Sequence, residues 1–121
     1  MKRLMIVDDA LIMRMKIRDI ATRAGWTIVA EAVNGADAVR LYLEHQPHLV
    51  TLDMVMPEMD GLSALKAIRD QDPAAQIVMV SAVNQKDKLR ECIVAGAMDF
   101  IVKPFDPAQL QLFFEQYQVD A

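Results

Sequence analysis

The chain has 121 residues, enough for one domain that buries roughly two-thirds of its unfolded surface around a single core. A hydrophobic fraction of 54% beside 25% charged residues excludes a disordered chain, and a net charge of -4 argues against a nucleic-acid-binding surface. The acidity is uneven: twelve Asp stand against five Glu, and Asp suits strand and helix interiors poorly, so the surplus points to caps, turns and a site.

Short apolar runs alternate with longer amphipathic stretches, five times over. The first run, Leu4-Met5-Ile6-Val7, is stopped by Asp8-Asp9, too soon for a secretory signal. Met13, Ile17, Ile20 and Ala24 then share one helical face, with Gly25 as its stop. Trp26, a packing residue, precedes the second run, Thr27–Ala30, which leads into Glu31 and reads as an edge strand. Asn34-Gly35 opens a helix with Ala38, Leu41 and Tyr42 inward, ended before Pro47.

The third run is Leu49–Leu52. Asp60 enters the helix that follows, which carries Leu62, Leu65 and Ile68 and ends at Asp72-Pro73. The fourth run, Ile77–Val80, precedes a helix anchored by Leu89 and Ile93 and closed by Gly96. The fifth, Phe100–Val102, leads to Asp106-Pro107, a cap followed by proline at the first helical position. Leu110, Phe113, Phe114 and Tyr117 line that last helix.

Nearly continuous apolar runs suit parallel strands buried on both faces. The order predicts an α/β fold: a five-stranded parallel sheet, helices on both sides, right-handed crossovers, and one domain over 1–121 without linker or repeat. No apolar stretch approaches the ~18 residues of a membrane span. The lone Cys92 cannot form an internal disulfide, so a soluble protein of the reducing cytoplasm is expected.

Open α/β sheets bind ligands beyond the carboxyl ends of their strands. There the runs end in Asp8-Asp9, Asp53, Ser81-Ala82 and Lys103-Pro104. Each has an ordinary reading: Asp9 could cap a helix, Asp53 form a turn, Ser81 enter a helix, and Lys103 be a solvated charge. Together they aim three carboxylates, a hydroxyl and an ammonium at one rim. Converging carboxylates repel unless a cation neutralises them, and all-oxygen ligation suits Mg²⁺ with positions left for water and phosphate. An Asp beside a metal can attack phosphorus to form an acyl phosphate, so the five positions describe a phosphoryl-transfer site.

Asp8-Asp9, Asp53 within Thr51-Leu52-Asp53-Met54-Val55-Met56-Pro57-Glu58-Met59-Asp60-Gly61, Ser81-Ala82 and Lys103-Pro104-Phe105 resemble the receiver domain of two-component response regulators over essentially the whole chain. The resemblance implies the flavodoxin-like strand order 2-1-3-4-5 and a cis Lys103–Pro104 bond. It makes Asp53 the phosphoacceptor, and Asp8, Asp9, Asp53 and the Val55 backbone carbonyl the Mg²⁺ ligands. It makes Lys103 the partner of the phosphoryl group, and Ser81 and Phe100 the switch pair. A histidine kinase or histidine phosphotransfer domain is the implied donor, since His45 and His48 read as surface residues. The target would dock on the fourth helix, last strand and last helix, with no direct contact to nucleic acid or membrane. The expected protein is a signalling switch rather than an enzyme acting on other substrates.

Two departures matter. In such proteins polar side chains at the positions of Val55 and Val83 often place the water that hydrolyses the acyl phosphate, and neither valine can. Slow self-dephosphorylation is expected, and with it either a long-lived signal or reliance on an external phosphatase. Met54 replaces the Trp found beside the phosphoacceptor in relatives, so Trp26 should report phosphorylation poorly. Met54, Met56 and Met59, with Ala10, Leu11 and Phe105, suggest an apolar donor-docking patch. Arg14 and Arg18, one turn apart, could meet an acidic partner. A metal-dependent phosphatase would want a second Asp at position 55, and a flavin carrier a Gly- and hydroxyl-rich loop where Asp8-Asp9-Ala10 stands. A stand-alone regulator, chemotaxis being one setting, is preferred over a phosphorelay intermediate or a receiver cut from a longer transcriptional regulator.

Overall fold

A computed structural model of the chain describes residues 1–82 and 86–119. Strands β1 (Lys2–Val7), β2 (Trp26–Ala32), β3 (Leu49–Asp53), β4 (Ile77–Ala82) and β5 (Asp99–Lys103) alternate with helices α1 (Leu11–Arg23), α2 (Gly35–His45), α3 (Gly61–Gln71), α4 (Lys86–Val94) and α5 (Pro107–Gln116). The strands form one parallel sheet in the order β2-β1-β3-β4-β5. The run leading into Glu31 is indeed an edge strand.

Alternation along the strands divides the core. Met5, Val7, Val50, Leu52 and Met79 face α2, α3 and α4, while Leu4, Ile6, Leu49 and Val78 face α1 and α5. Each face is closed by helical apolar stripes, Tyr42, Leu65 and Ile68 on one side and Ile17, Ile20 and Phe114 on the other. The caps act as their chemistry dictates. Asn34, Asp60 and Asp106 side chains accept from the backbone N–H groups of Asp37, Ser63 and Ala108. Gly25 and Gly96 follow α1 and α4 at φ +94° and +110°, where a side chain would be strained.

Two sequence expectations shift. Trp26 lies inside β2 as its first residue, 3% exposed, with its indole Nε1 donating to Phe114 O at 2.9 Å. In α4 the inward pair is Leu89 and Cys92, not Leu89 and Ile93. Cys92 is fully buried with its sulfur 3.8 Å from that of Met54, whereas Ile93 is 44% exposed. Burial pushes the Cys92 thiol up to about 11, so it is inert as a nucleophile at neutral pH.

The parity of β2 changes along its length. Leu4 pairs with Ile28 but Met5 with Ala30, a one-residue register shift. Beyond it Glu31 pairs with Ile6 and so turns toward the α1 face of the sheet.

Candidate functional site

The carboxyl ends of β1, β3, β4 and β5 meet at one rim. Asp8 follows β1 directly, Asp53 ends β3, Ser81 is the penultimate residue of β4, and Lys103 ends β5. Asp8 and Ser81 are each 1% exposed and Asp53 7%, while Asp9 is open to solvent. Asp8, Asp9 and Asp53 each bring a carboxylate oxygen within 4.8 Å of the others.

Lys103 binds the two buried acids together. Its Nζ donates to Asp8 Oδ2 at 2.9 Å and to Asp53 Oδ1 at 3.1 Å. Asp8 Oδ1 accepts from the Ala10 amide at 2.9 Å, and Asp53 Oδ1 from the Met54 amide at 3.0 Å. The Lys103–Pro104 peptide is cis. Among the described residues, Ser81 Oγ makes only a long contact, 3.4 Å, to the Ala82 carbonyl.

Burial raises the Asp53 pKa, and the neighbouring charge of Asp8 raises it further; the bonds to Lys103 pull it down without prevailing. Burial also disfavours the Lys103 ammonium, but its bonds to Asp8 and Asp53 outweigh that and raise its pKa. One cation therefore faces three clustered acids and offsets part of their charge. An all-oxygen donor set with residual negative charge fits a hard divalent cation.

The loop after β3 is held close to the site. Gly61 N–H donates to Met54 O at 2.8 Å, and a Cβ at residue 61 would lie 2.2 Å from the Asp53 carbonyl oxygen. Gly61 is therefore required for the approach that seats Asp53.

Several expected positions fall elsewhere. Met54 is 1% and Met56 8% exposed, and Met59 packs against the core, so the methionines form no docking patch. Met54 meets Cys92 of α4, and Met59 lies against Gly35 at the start of α2. Exposed apolar residues among those described after the strand ends include Leu11, Ile12 and Val55, at 59–68% exposure. Arg14 and Arg18 meet an acid of their own chain, both pairing with Glu31. His48 is tied into the fold, its Nδ1 accepting from the Arg3 amide at 3.0 Å. Val83 lies outside the described residues.

Phe100 is 45% exposed and, with Leu89, Ile93, Val94 and Val102, lines an apolar groove of about 460 Å³ between α4 and β5. No helix among the described residues is long and apolar enough to cross a membrane.

The family model of the response regulator receiver domain matches residues 4–115. The chain is 56% identical to the chemotaxis protein CheY of Bacillus subtilis, over 85% of this chain and 86% of that one. It is 50% identical to CheY of Thermotoga maritima, over 90% and 91%. Among solved structures, it superposes on a chain of the CheX–CheY–BeF3–Mg²⁺ complex from Borrelia burgdorferi with a TM-score of 0.88 and 33% identity, covering 97% and 90% of the two chains. Agreement of family, sequence and fold over the same span has one explanation: the chain belongs to the response regulator receiver domains, closely related to CheY.

Proposed function

We propose that this receiver accepts a phosphoryl group from a phosphohistidine donor onto Asp53. The observation that carries the reading is the Lys103 ammonium bonded at once to Asp53, 7% exposed, and Asp8, 1% exposed, at the rim where Asp9 adds a third acid. The bond from phosphorus to the donor imidazole breaks as an Asp53 oxygen attacks, and the released nitrogen takes a proton. Asp8, Asp9, the second Asp53 oxygen and the Val55 carbonyl would hold Mg²⁺, which supplies charge neutralisation for the incoming phosphate. The BeF3 and Mg²⁺ in the Borrelia relative's complex support that assignment.

Phosphorylation adds roughly two negative charges to the pocket. Lys103 turns from the carboxylate to the phosphoryl group, and the Ser81 hydroxyl donates to it. Phe100 follows, reshaping the apolar groove between α4 and β5 where a protein target docks. The donor docks on the exposed Leu11, Ile12 and Val55 at the opposite side of the rim. An external phosphatase ends the signal, because no polar side chain at Val55 aids hydrolysis. The receiver works in the cytoplasm as a single-domain switch and catalyses only its own phosphotransfer and hydrolysis.

Incubation with Mg²⁺ and a small acyl phosphate, followed by intact-mass measurement, tests the core of this. One labile phosphoryl group is expected, absent in Asp53→Asn. An unmodified wild-type chain overturns it.

A further inference from the structure

Arg14 sits in the first turn of α1 with its side chain only 13% exposed. A guanidinium so enclosed needs partners for its donors, and it finds them in two directions. Nε donates to Glu31 Oε1 at 3.1 Å, and Nη1 donates to the backbone carbonyl of Asp8 at 2.8 Å. The other oxygen of Glu31 is held by Arg18.

The carbonyl that Arg14 grips belongs to the peptide joining Asp8 to Asp9. The other side of Asp8 is fixed as well, its N–H donating to Ala32 O at 3.1 Å. The Asp8 carboxylate is oriented by Ala10 and Lys103, but among the described residues no hydrogen bond or ion pair holds the Asp9 carboxylate. Where Asp9 points is then set by the plane of the peptide before it, and Arg14 is the group that holds that plane.

We propose that Arg14, clamped by Glu31, is a positioning residue for the metal pocket: it fixes the Asp8–Asp9 peptide so that both acids present their carboxylates to one cation. The proposal rests on the Mg²⁺ reading of the pocket. It also assigns a role to the register shift in β2, which turns Glu31 toward α1 and brings a carboxylate within reach of Arg14.

The test is a Mg²⁺ titration of the folded protein, followed by the ¹H–¹⁵N resonances of residues 8–10, in wild type, Arg14→Met, Glu31→Gln and Arg18→Met. Removing a group that orients a ligand commonly weakens metal binding by 10-fold or more, so Arg14→Met should raise the Mg²⁺ Kd about 10-fold. Glu31→Gln should shift it in the same direction by less. Arg18→Met, which also loses a Glu31 pair but touches no part of Asp8, should leave it unchanged. Phosphorylation of Arg14→Met should approach the wild-type rate at saturating Mg²⁺. Unchanged affinity in Arg14→Met, or an equal loss in Arg18→Met, overturns the proposal, because the pair would then serve only to dock α1 on β2. Should Arg14→Met fail to fold, Glu31→Gln decides alone, and wild-type affinity there overturns the clamp. A wild-type chain that binds no Mg²⁺ overturns the pocket reading itself.

Discussion

Lys103 Nζ stands 3.1 Å from Asp53 Oδ1, and the same ammonium reaches Asp8 at 2.9 Å. The lysine thus occupies the place between the two acids where positive charge is needed most.

Removing that cation should be costly for the folded state. Lys103→Met leaves two buried carboxylates facing each other beside Asp9. The lysine keeps 21% side-chain exposure, so the loss falls below the ~3–5 kcal/mol of a fully buried broken pair and is expected near 2 kcal/mol. Mg²⁺ should stabilise this variant more than it stabilises the wild type, because no ammonium competes for the site. Denaturant unfolding with and without Mg²⁺ measures both. Equal Mg²⁺ increments in the two proteins would count against the shared charge balance.

Asp53 gives a pH dependence of definite sign. Burial and the Asp8 charge raise its folded-state pKa above the unfolded value. Such a group contributes stability that is full below the unfolded value, about 4, and lost as pH rises through the higher folded value. Without Mg²⁺, ionising Asp53 therefore opposes folding. Asp53→Asn should be more stable than wild type at pH 7, with the advantage shrinking as pH falls toward about 4. Thermal unfolding across that window decides it; a variant less stable than wild type at pH 7 would refute the sign.

Thr51 lies in β3 two residues before Asp53, 1% exposed, and its hydroxyl has no hydrogen-bond partner among the described residues. Burying an unpaired hydroxyl costs about 1–2 kcal/mol. Thr51→Val keeps the branched shape and should raise stability by about 1 kcal/mol in urea unfolding, leaving the phosphorylation rate unaltered. A loss of stability would mean that the hydroxyl is satisfied.

Val55 is 60% exposed on the loop that follows Asp53. An amide at this position can hydrogen-bond a water attacking the acyl phosphate, so Val55→Asn should speed phosphate release. The gain should stay below the roughly 100-fold supplied by a positioned general base. Val83→Glu is expected to act the same way. Release kinetics of the phosphorylated proteins test both, and unchanged lifetimes would dismiss the account of water placement.

Trp26 begins β2 opposite Lys2, whereas Val7 and Ala32 pair at the site end of the same two strands. Five residue steps separate the pairs along β1, about 16 Å at 3.3 Å per residue. Tryptophan fluorescence should therefore follow unfolding closely yet change little on Mg²⁺ addition or phosphorylation. A large fluorescence response to Mg²⁺ would show that the aromatic packing of Trp26 against Phe114 and Tyr117 is coupled to the pocket.

The strand-end residues could be read directly because burial is a local property of parallel strands. An apolar run that stops at Asp8, Asp53, Ser81 or Lys103 marks where the chain leaves the core, and the parallel order sends all those exits to one rim. The caps at Asn34, Asp60 and Asp106 were legible for a similar reason, each acting within three residues of itself.

Other features depend on which side of an element faces the core. Nothing in Met54-Val55-Met56 says that the methionines turn inward and the valine outward; that follows from how the loop packs on the core, Met54 against Cys92 of α4. Leu89 could have been matched with Cys92 or Ile93, three or four residues on, and only the packing against Met54 selects Cys92. Arg14 and Arg18 suggest an acidic partner from their spacing alone, and only the sheet shows that the acid is Glu31 of the same chain.

Composition and the order of apolar runs were thus sufficient for the doubly wound sheet and for the acids, hydroxyl and lysine on its rim, since hydrophobic burial and the carboxyl-end geometry of parallel strands act on local sequence. The contact between Lys103 and both acids, the inward methionines and the Arg14 grip on Asp8 were decided by tertiary structure alone. They depend on register and on charges distant in sequence: a shift of one residue in β2 turns Glu31 to the other face of the sheet, and no local pattern records it.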